Sequence, residues 1–458
     1  MATHHLKLPT IPRVAAPGLA AGGSVAPTPA KPPGTLAMSH RIPRRMVMAA
    51  AWMIAAAAVA PVRAEAPFTA VAAGVRYRKI GSYDKARLAA ILDTGLDAFM
   101  AGSTMKAGDF KGKFPAPRHA VTLYEVQFDS VIPEWDNQPT LGSGLLAIPD
   151  DGGTSHPLVS YQHGTVFGRD EVPSRPDNSY ETQLVLAAFA AQGYAAIGAD
   201  YFGLGPSRVP NCFIVPRGTV QAMVDHHRAS QAVLAALGQT TPQFFVWGWS
   251  QGGWSTMQFL RRLETLGVPV TAAATVSAPV DLAAAFRRPI ANPRPQDAAW
   301  IKGCISNMLW SHEAYARLPG LAASAIKPEH LAASRKFFEG DLAWPDYDAA
   351  VPGGVAGLLR PEFIAGAETG RGRFWELLED AGAYRWRVKT PLRAYGGDAD
   401  EAIPPVVSRM APDFARLLGS NQAEFFSAGE RADHRASYVA ATLEVKPWFD
   451  GFVERAAK

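Results

Sequence analysis

Cysteine is nearly absent, with only Cys212 and Cys304 among 458 residues. So small a supply excludes a disulfide-stapled miniature fold, and no Cys/His cluster has zinc spacing. In an oxidising compartment these two cysteines are expected to pair as a disulfide, the alternative being two buried thiols. Acidic residues are missing from residues 1–64, which carry Lys7, Arg13, Lys31, Arg41, Arg44, Arg45 and Arg63. Without these seven cations the formal net charge of +4 becomes −3, so the basic character belongs to the leader. A nucleic-acid partner is therefore not expected. The apolar run at 46–60 is about 15 residues long, short of the roughly 20 that a membrane span needs. Internal repeats and nucleic-acid motifs are also lacking.

What is present in the leader is an export signal. Basic Arg41, Arg44 and Arg45 precede the apolar run, and Val62-Arg63-Ala64 forms a small-x-small cleavage site. Cleavage after Ala64 would start the mature chain at Glu65 and deliver it to the periplasm or the medium. Arg44-Arg45 suits twin-arginine as well as general export. Met38, directly before the basic segment, is a candidate true start, because the preceding stretch is mostly Pro, Ala and Gly.

The mature part has ordinary globular composition, 48% hydrophobic and 19% charged over the whole chain, enough for a large core. A helix is expected over 84–104. Short apolar runs bounded by Gly, Pro, Asp and Asn then alternate with helical stretches. Strands are expected at 121–131 and 144–148 as a hairpin, then at 158–161, 195–199, 243–247, 271–276, 392–395 and 423–426. Helices are expected at 182–192, 218–237, 254–266, 405–418 and 437–455. This alternation implies an α/β architecture: a mainly parallel central sheet with helices on both faces and its site at the carboxyl ends of the strands. The alternation lapses at 281–390, a stretch rich in Trp, Phe, Leu and Ala that reads as a helical cap or lid. The expected core is thus 65–280 with 391–458.

The strand at 243–247 runs into Gly248-Trp249-Ser250-Gln251-Gly252-Gly253. A serine hydroxyl becomes a useful nucleophile when a base takes its proton and a sharp strand-to-helix turn exposes it. Such a turn needs small neighbours, which the glycines supply. The same turn sets the Gln251 amide at a helix start, facing a developing oxyanion. Thr165, in the loop Gln162-His163-Gly164-Thr165 after another strand, is the candidate for the second amide. His163 is not assigned the base role; the alternative for His163-Gly164 is a simple turn with His163 in a structural hydrogen bond.

The base and its orienting acid should follow the serine in the order acid, then histidine. Asp400 is the preferred acid, with Asp398 and Glu401 competing in the same loop. His434 is the only histidine downstream, and the expected base. Adjacent His226 and His227 point about 100° apart on a helix, cannot easily share one metal, and read as surface or helix-packing residues. Trp300, Trp310, Tyr315 and Trp344 are candidates for an acyl pocket or for the core of the cap.

The elbow, with Tyr161-Gln162-His163-Gly164-Thr165 and Asp200-Tyr201-Phe202-Gly203-Leu204-Gly205, resembles the α/β-hydrolase superfamily. Val121-Thr122-Leu123-Tyr124, Ser143-Gly144-Leu145-Leu146-Ala147-Ile148-Pro149 and Val172-Pro173-Ser174 make the chain similar to its secretory lipase family, of which Candida antarctica lipase A is a member. The resemblance spans roughly residues 75 to 455. It implies the α/β-hydrolase fold, a cap over the site, hydrolysis of carboxylic esters, and a triad on Ser250, Asp400 and His434. No cofactor or metal is called for. The expected partner is a small-molecule or lipid ester, with transient contact to a lipid interface. A peptidase or amidase with the same triad, and a non-catalytic binding protein on the same fold, are the competing functions.

Overall fold

The structure is a computed structural model that describes residues 66–457, so the export signal and its cleavage site lie outside the described residues. Ten strands form one sheet in the order β1-β2-β3-β4-β6-β5-β7-β8-β9-β10. They are β1 (Thr69–Ala72), β2 (Val75–Tyr83), β3 (Val121–Ile132), β4 (Gln138–Pro149), β5 (Leu158–Gln162), β6 (Ala195–Ala199), β7 (Phe244–Trp249), β8 (Ala272–Val276), β9 (Leu392–Gly396) and β10 (Ala423–Ser427). From β6 through β5, β7, β8 and β9 to β10 every pairing is parallel, and β1 to β4 add an antiparallel flank that joins at β6.

Period-two alternation sends successive residues of a buried strand to opposite faces. In β7, Phe245 and Trp247 enter one apolar core while Val246 enters the other. The helices Pro216–Ala236 and Gln251–Leu266 close the Val246 face through Val233, Leu234, Met257 and Leu260. Tyr180–Ala188 and His434–Ala457 close the opposite face through Leu184, Tyr438, Val445 and Phe449. Between β8 and β9 the described chain is helices and loops, and its only β contact is the isolated bridge Ile326–Leu359.

Several expectations need correction. The 84–104 segment is helical only to Phe99 and includes a π-helical turn at Ile91–Gly95. The 405–418 helix is two pieces, Pro405–Ser408 and Met410–Leu417. The expected Cys212–Cys304 disulfide does not form, because both thiols are free and sit buried in different apolar clusters. Cys212 packs with Phe202, Val215 and Tyr315, and its sulfur lies 3.9 Å from Thr219 Oγ1. Burial pushes the Cys304 thiol up to about 12, with a Thr165 hydrogen bond acting the other way. His226 is buried against Phe128, with ring centroids 5.8 Å apart, and burial lowers its pKa to about 3, which fits a neutral packing residue.

Candidate active site

Ser250 sits between β7 and the Gln251–Leu266 helix with φ 58° and ψ −124°. A non-glycine residue holds such a backbone only when its surroundings enforce it, and strain of this kind concentrates at functional sites. Here the enforcement is steric. A Cβ on Gly252 would stand 1.9 Å from the Gln162 carbonyl oxygen, and one on Gly248 would stand 2.5 Å from the same atom. The turn can therefore pack against β5 only with glycine at both places. Gly252→Ala is expected to cost about 3 kcal/mol or more through this overpacking, read as a lower calorimetric Tm or as failure to fold. A variant as stable as the native chain would contradict the packing argument.

His434 Nε2 lies 2.9 Å from Ser250 Oγ, and His434 Nδ1 lies 3.0 Å from each carboxylate oxygen of Asp400. The Asp400 carboxylate is fully buried, and its Oδ1 accepts from the backbone amides of Ala402 and Ile403 at 2.9 and 2.8 Å. The two competing acids of that loop do other things. Asp398 is exposed and accepts from Ser427 Oγ at 2.9 Å, while Glu401 accepts from the His434 backbone amide at 3.0 Å. His434 is the first residue of the last helix, not a loop residue before it. Asp433 explains the early start: its carboxylate accepts from the Ala436 amide, and it ties down Ser103 Oγ and the Thr104 amide.

The imidazole is enclosed by aromatic rings, with the Trp249 and Trp300 centroids at 4.9 and 5.3 Å. Trp249 Nε1 also donates to the His434 carbonyl at 3.1 Å. Burial alone would lower the His434 pKa, but the charge and hydrogen bond of Asp400, helped by Glu401 and Glu181, hold it above its ordinary value.

Among the described residues, the backbone amides of Gln251 and Thr165 donate to no protein acceptor, and both residues border the cavity at Ser250. The neighbouring Gly164 amide is committed to Glu181 Oε2 at 2.7 Å, which also accepts from Tyr161 Oη at 2.6 Å. Glu181 is a buried carboxylate that sequence reasoning misses, and burial raises its pKa to about 7. In Ser179-Tyr180-Glu181-Thr182 it looks like an ordinary first-turn acid complementing a helix dipole, and no local signal sets it apart. His163 is a structural residue here: it is fully buried, its ring stacks on Tyr201 at 4.2 Å, and burial lowers its pKa to about 4. Of the four aromatic pocket candidates, Trp300 and Trp344 border the space beside Ser250. Trp310 instead faces a separate groove, and Tyr315 stacks on Trp135.

This sheet order, with a serine elbow after β7, an acid after β9 and a histidine after β10, defines the α/β-hydrolase fold. Solved structures share it. A candidate hydrolase from Legionella pneumophila is 22% identical with a TM-score of 0.72, the match covering 82% of this chain and 97% of that one. A ligand-bound form of the rice cell wall degrading esterase LipA from Xanthomonas oryzae is 19% identical at TM-score 0.70, covering 84% and 98%. Candida antarctica lipase A in its closed state is 15% identical at TM-score 0.53, covering 69% and 73%. No protein-family model and no curated protein sequence matches the chain.

Proposed function

We propose that the protein is a serine hydrolase that cleaves carboxylic esters through an acyl-enzyme on Ser250. The observation that carries the reading is the unbroken run from buried Asp400 through His434 to Ser250 Oγ, with steps of 3.0 and 2.9 Å. Ser250 Oγ attacks the ester carbonyl carbon while its proton passes to His434 Nε2. The carbonyl oxygen takes up the negative charge opposite the Gln251 and Thr165 amides. As the carbon–oxygen bond breaks, the leaving alkoxide takes the proton from His434. A water deprotonated by the same imidazole then attacks the acyl carbon, releasing the acid and restoring Ser250. Asp400 fixes the tautomer and stabilises the transient imidazolium.

The fold neighbours named as an esterase and a lipase support ester over amide substrates. The signal pattern in residues 1–64 supports action outside the cytoplasm. The test is a fluorophosphonate label followed by peptide mapping, with p-nitrophenyl acetate and aminoacyl anilides compared in parallel. One label per chain on Ser250 and a burst of p-nitrophenol are expected. Labelling elsewhere, or faster turnover of the anilides, would overturn the reading.

A pH profile gives a second check. His434 must be neutral to accept the serine proton, and its pKa is raised in the folded protein. The acid limb of kcat/KM is therefore expected above the ordinary histidine value of about 6.5. In Asp400→Asn, where the main raising influence is gone, whatever activity remains should show that limb moved to lower pH. An unmoved limb would mean that another group controls it.

A further inference from the structure

Two spaces of different size and lining meet at Ser250. The first holds only about 20 Å³. Its walls include Phe213, Phe286, Ile301 and Cys304, all buried in the main apolar core, together with Ile403. The second is an open trough of about 230 Å³ that includes Phe167, Trp249, Trp300 and Trp344 with His434, and with Glu401 and Arg435 as its charged members. The Trp344 and Phe167 rings stack on each other at 5.0 Å, which fixes the trough wall.

Chemistry decides which part of an ester enters which space. The leaving oxygen has to receive a proton from His434 Nε2, and His434 borders the trough but not the small cavity. The alcohol part therefore lies in the trough. The acyl group falls to the small cavity, which Gln251 borders and the trough does not reach. Close-packed walls cannot absorb added methylenes without strain. The trough is smaller than the 300–1,000 Å³ typical of drug-sized sites, so it suits about one ring. Aromatic faces favour a flat partner that can stack or lie edge-on.

We infer that the substrate is an ester of a very short acyl group, acetyl in size, with a flat ring-bearing alcohol. The inference rests on Ser250 forming the acyl-enzyme. Phe286 and Ile301 set the acyl length, Trp344 holds the ring, and Trp300 borders both spaces.

The experiment measures kcat/KM for benzyl and hexyl esters, whose leaving alcohols have similar acidity, from acetate to octanoate. Benzyl acetate is expected to exceed benzyl octanoate by tenfold or more, since each misfit methylene is worth about 10- to 200-fold. It should also exceed hexyl acetate. Phe286→Ala, or Ile301→Ala if the first does not fold, is expected to raise the octanoate-to-acetate ratio about tenfold or more. Trp344→Ala should raise KM for benzyl acetate more than for hexyl acetate. A native preference for octanoate, an acyl ratio unmoved in the folded variants, or hexyl acetate matching benzyl acetate would overturn the assignment. If Ser250 still gives a burst and takes the phosphonate label, such a result removes this inference alone. If no ester of any length is cleaved and Ser250 stays unlabelled, the hydrolase reading falls with it.

Discussion

Ester turnover by Ser250→Ala is expected to fall by about 10⁴-fold or more, with the fold retained. Alanine at φ 58°, ψ −124° is as strained as serine, and the glycine contacts that impose the turn are untouched. Only the Oγ partner of His434 at 2.9 Å is lost. In the proposed mechanism Oγ is the atom that forms and breaks the covalent bond, so the loss should appear in kcat, with KM for the ester little altered. Residual catalysis would come from the Gln251 and Thr165 amides acting on a water attack. Steady-state kinetics with a calorimetric scan of the same sample checks both halves. A folded Ser250→Ala protein of native activity would end the mechanism.

Asp400→Asn is expected to lose about 10⁴-fold in kcat. Asparagine keeps the volume but presents an amide donor to His434 Nδ1, which favours the tautomer carrying its proton on Nε2. That nitrogen faces Ser250 and can no longer accept its proton. Asp398→Asn, two residues earlier, should stay within about twofold of native activity, because its carboxylate is exposed and bonded to Ser427. Measuring kcat for both variants separates the two acids. A larger loss at position 398 would reverse the assignment.

The serine turn is legible in the sequence because its demands are local. Glycines flank Ser250 within a few residues, and an apolar strand and a helix-forming segment adjoin them. The choice among Asp398, Asp400 and Glu401 is not local, since all three lie in one loop. It is made by burial and by the amides of Ala402 and Ile403, which become visible only when the loop is folded. Strands β1 and β2 escape a sequence reading because they form the flank of the sheet. Exposed Arg76 and Lys79 interleave with half-buried Val75 and Tyr77, and Arg78 is buried only because it pairs with Glu125 on β3, leaving little apolar pattern to see. The hairpin of β3 and β4 is expected, but β4 begins six residues early, at Gln138, where polar Gln138 and Thr140 pair with Ile132 and Ser130. The cysteines mislead for a different reason. Compartment and count suggest a pair, whereas distance in the fold decides, and the two thiols belong to separate clusters.

The helical stretch that supplies Phe286, Trp300, Ile301 and Trp344 leaves the sheet after β8 and returns at β9, its immediate parallel neighbour. Since loop-closure entropy grows only with the logarithm of length, halving or doubling such an excursion changes the closure cost by about 0.6 kcal/mol. Ser250 and His434 are anchored elsewhere, beside β7 and at the head of the last helix. A library confined to the excursion, or its exchange for one of different length, can therefore reshape the two spaces beside Ser250 while the Ser250–His434–Asp400 geometry keeps its own foundations.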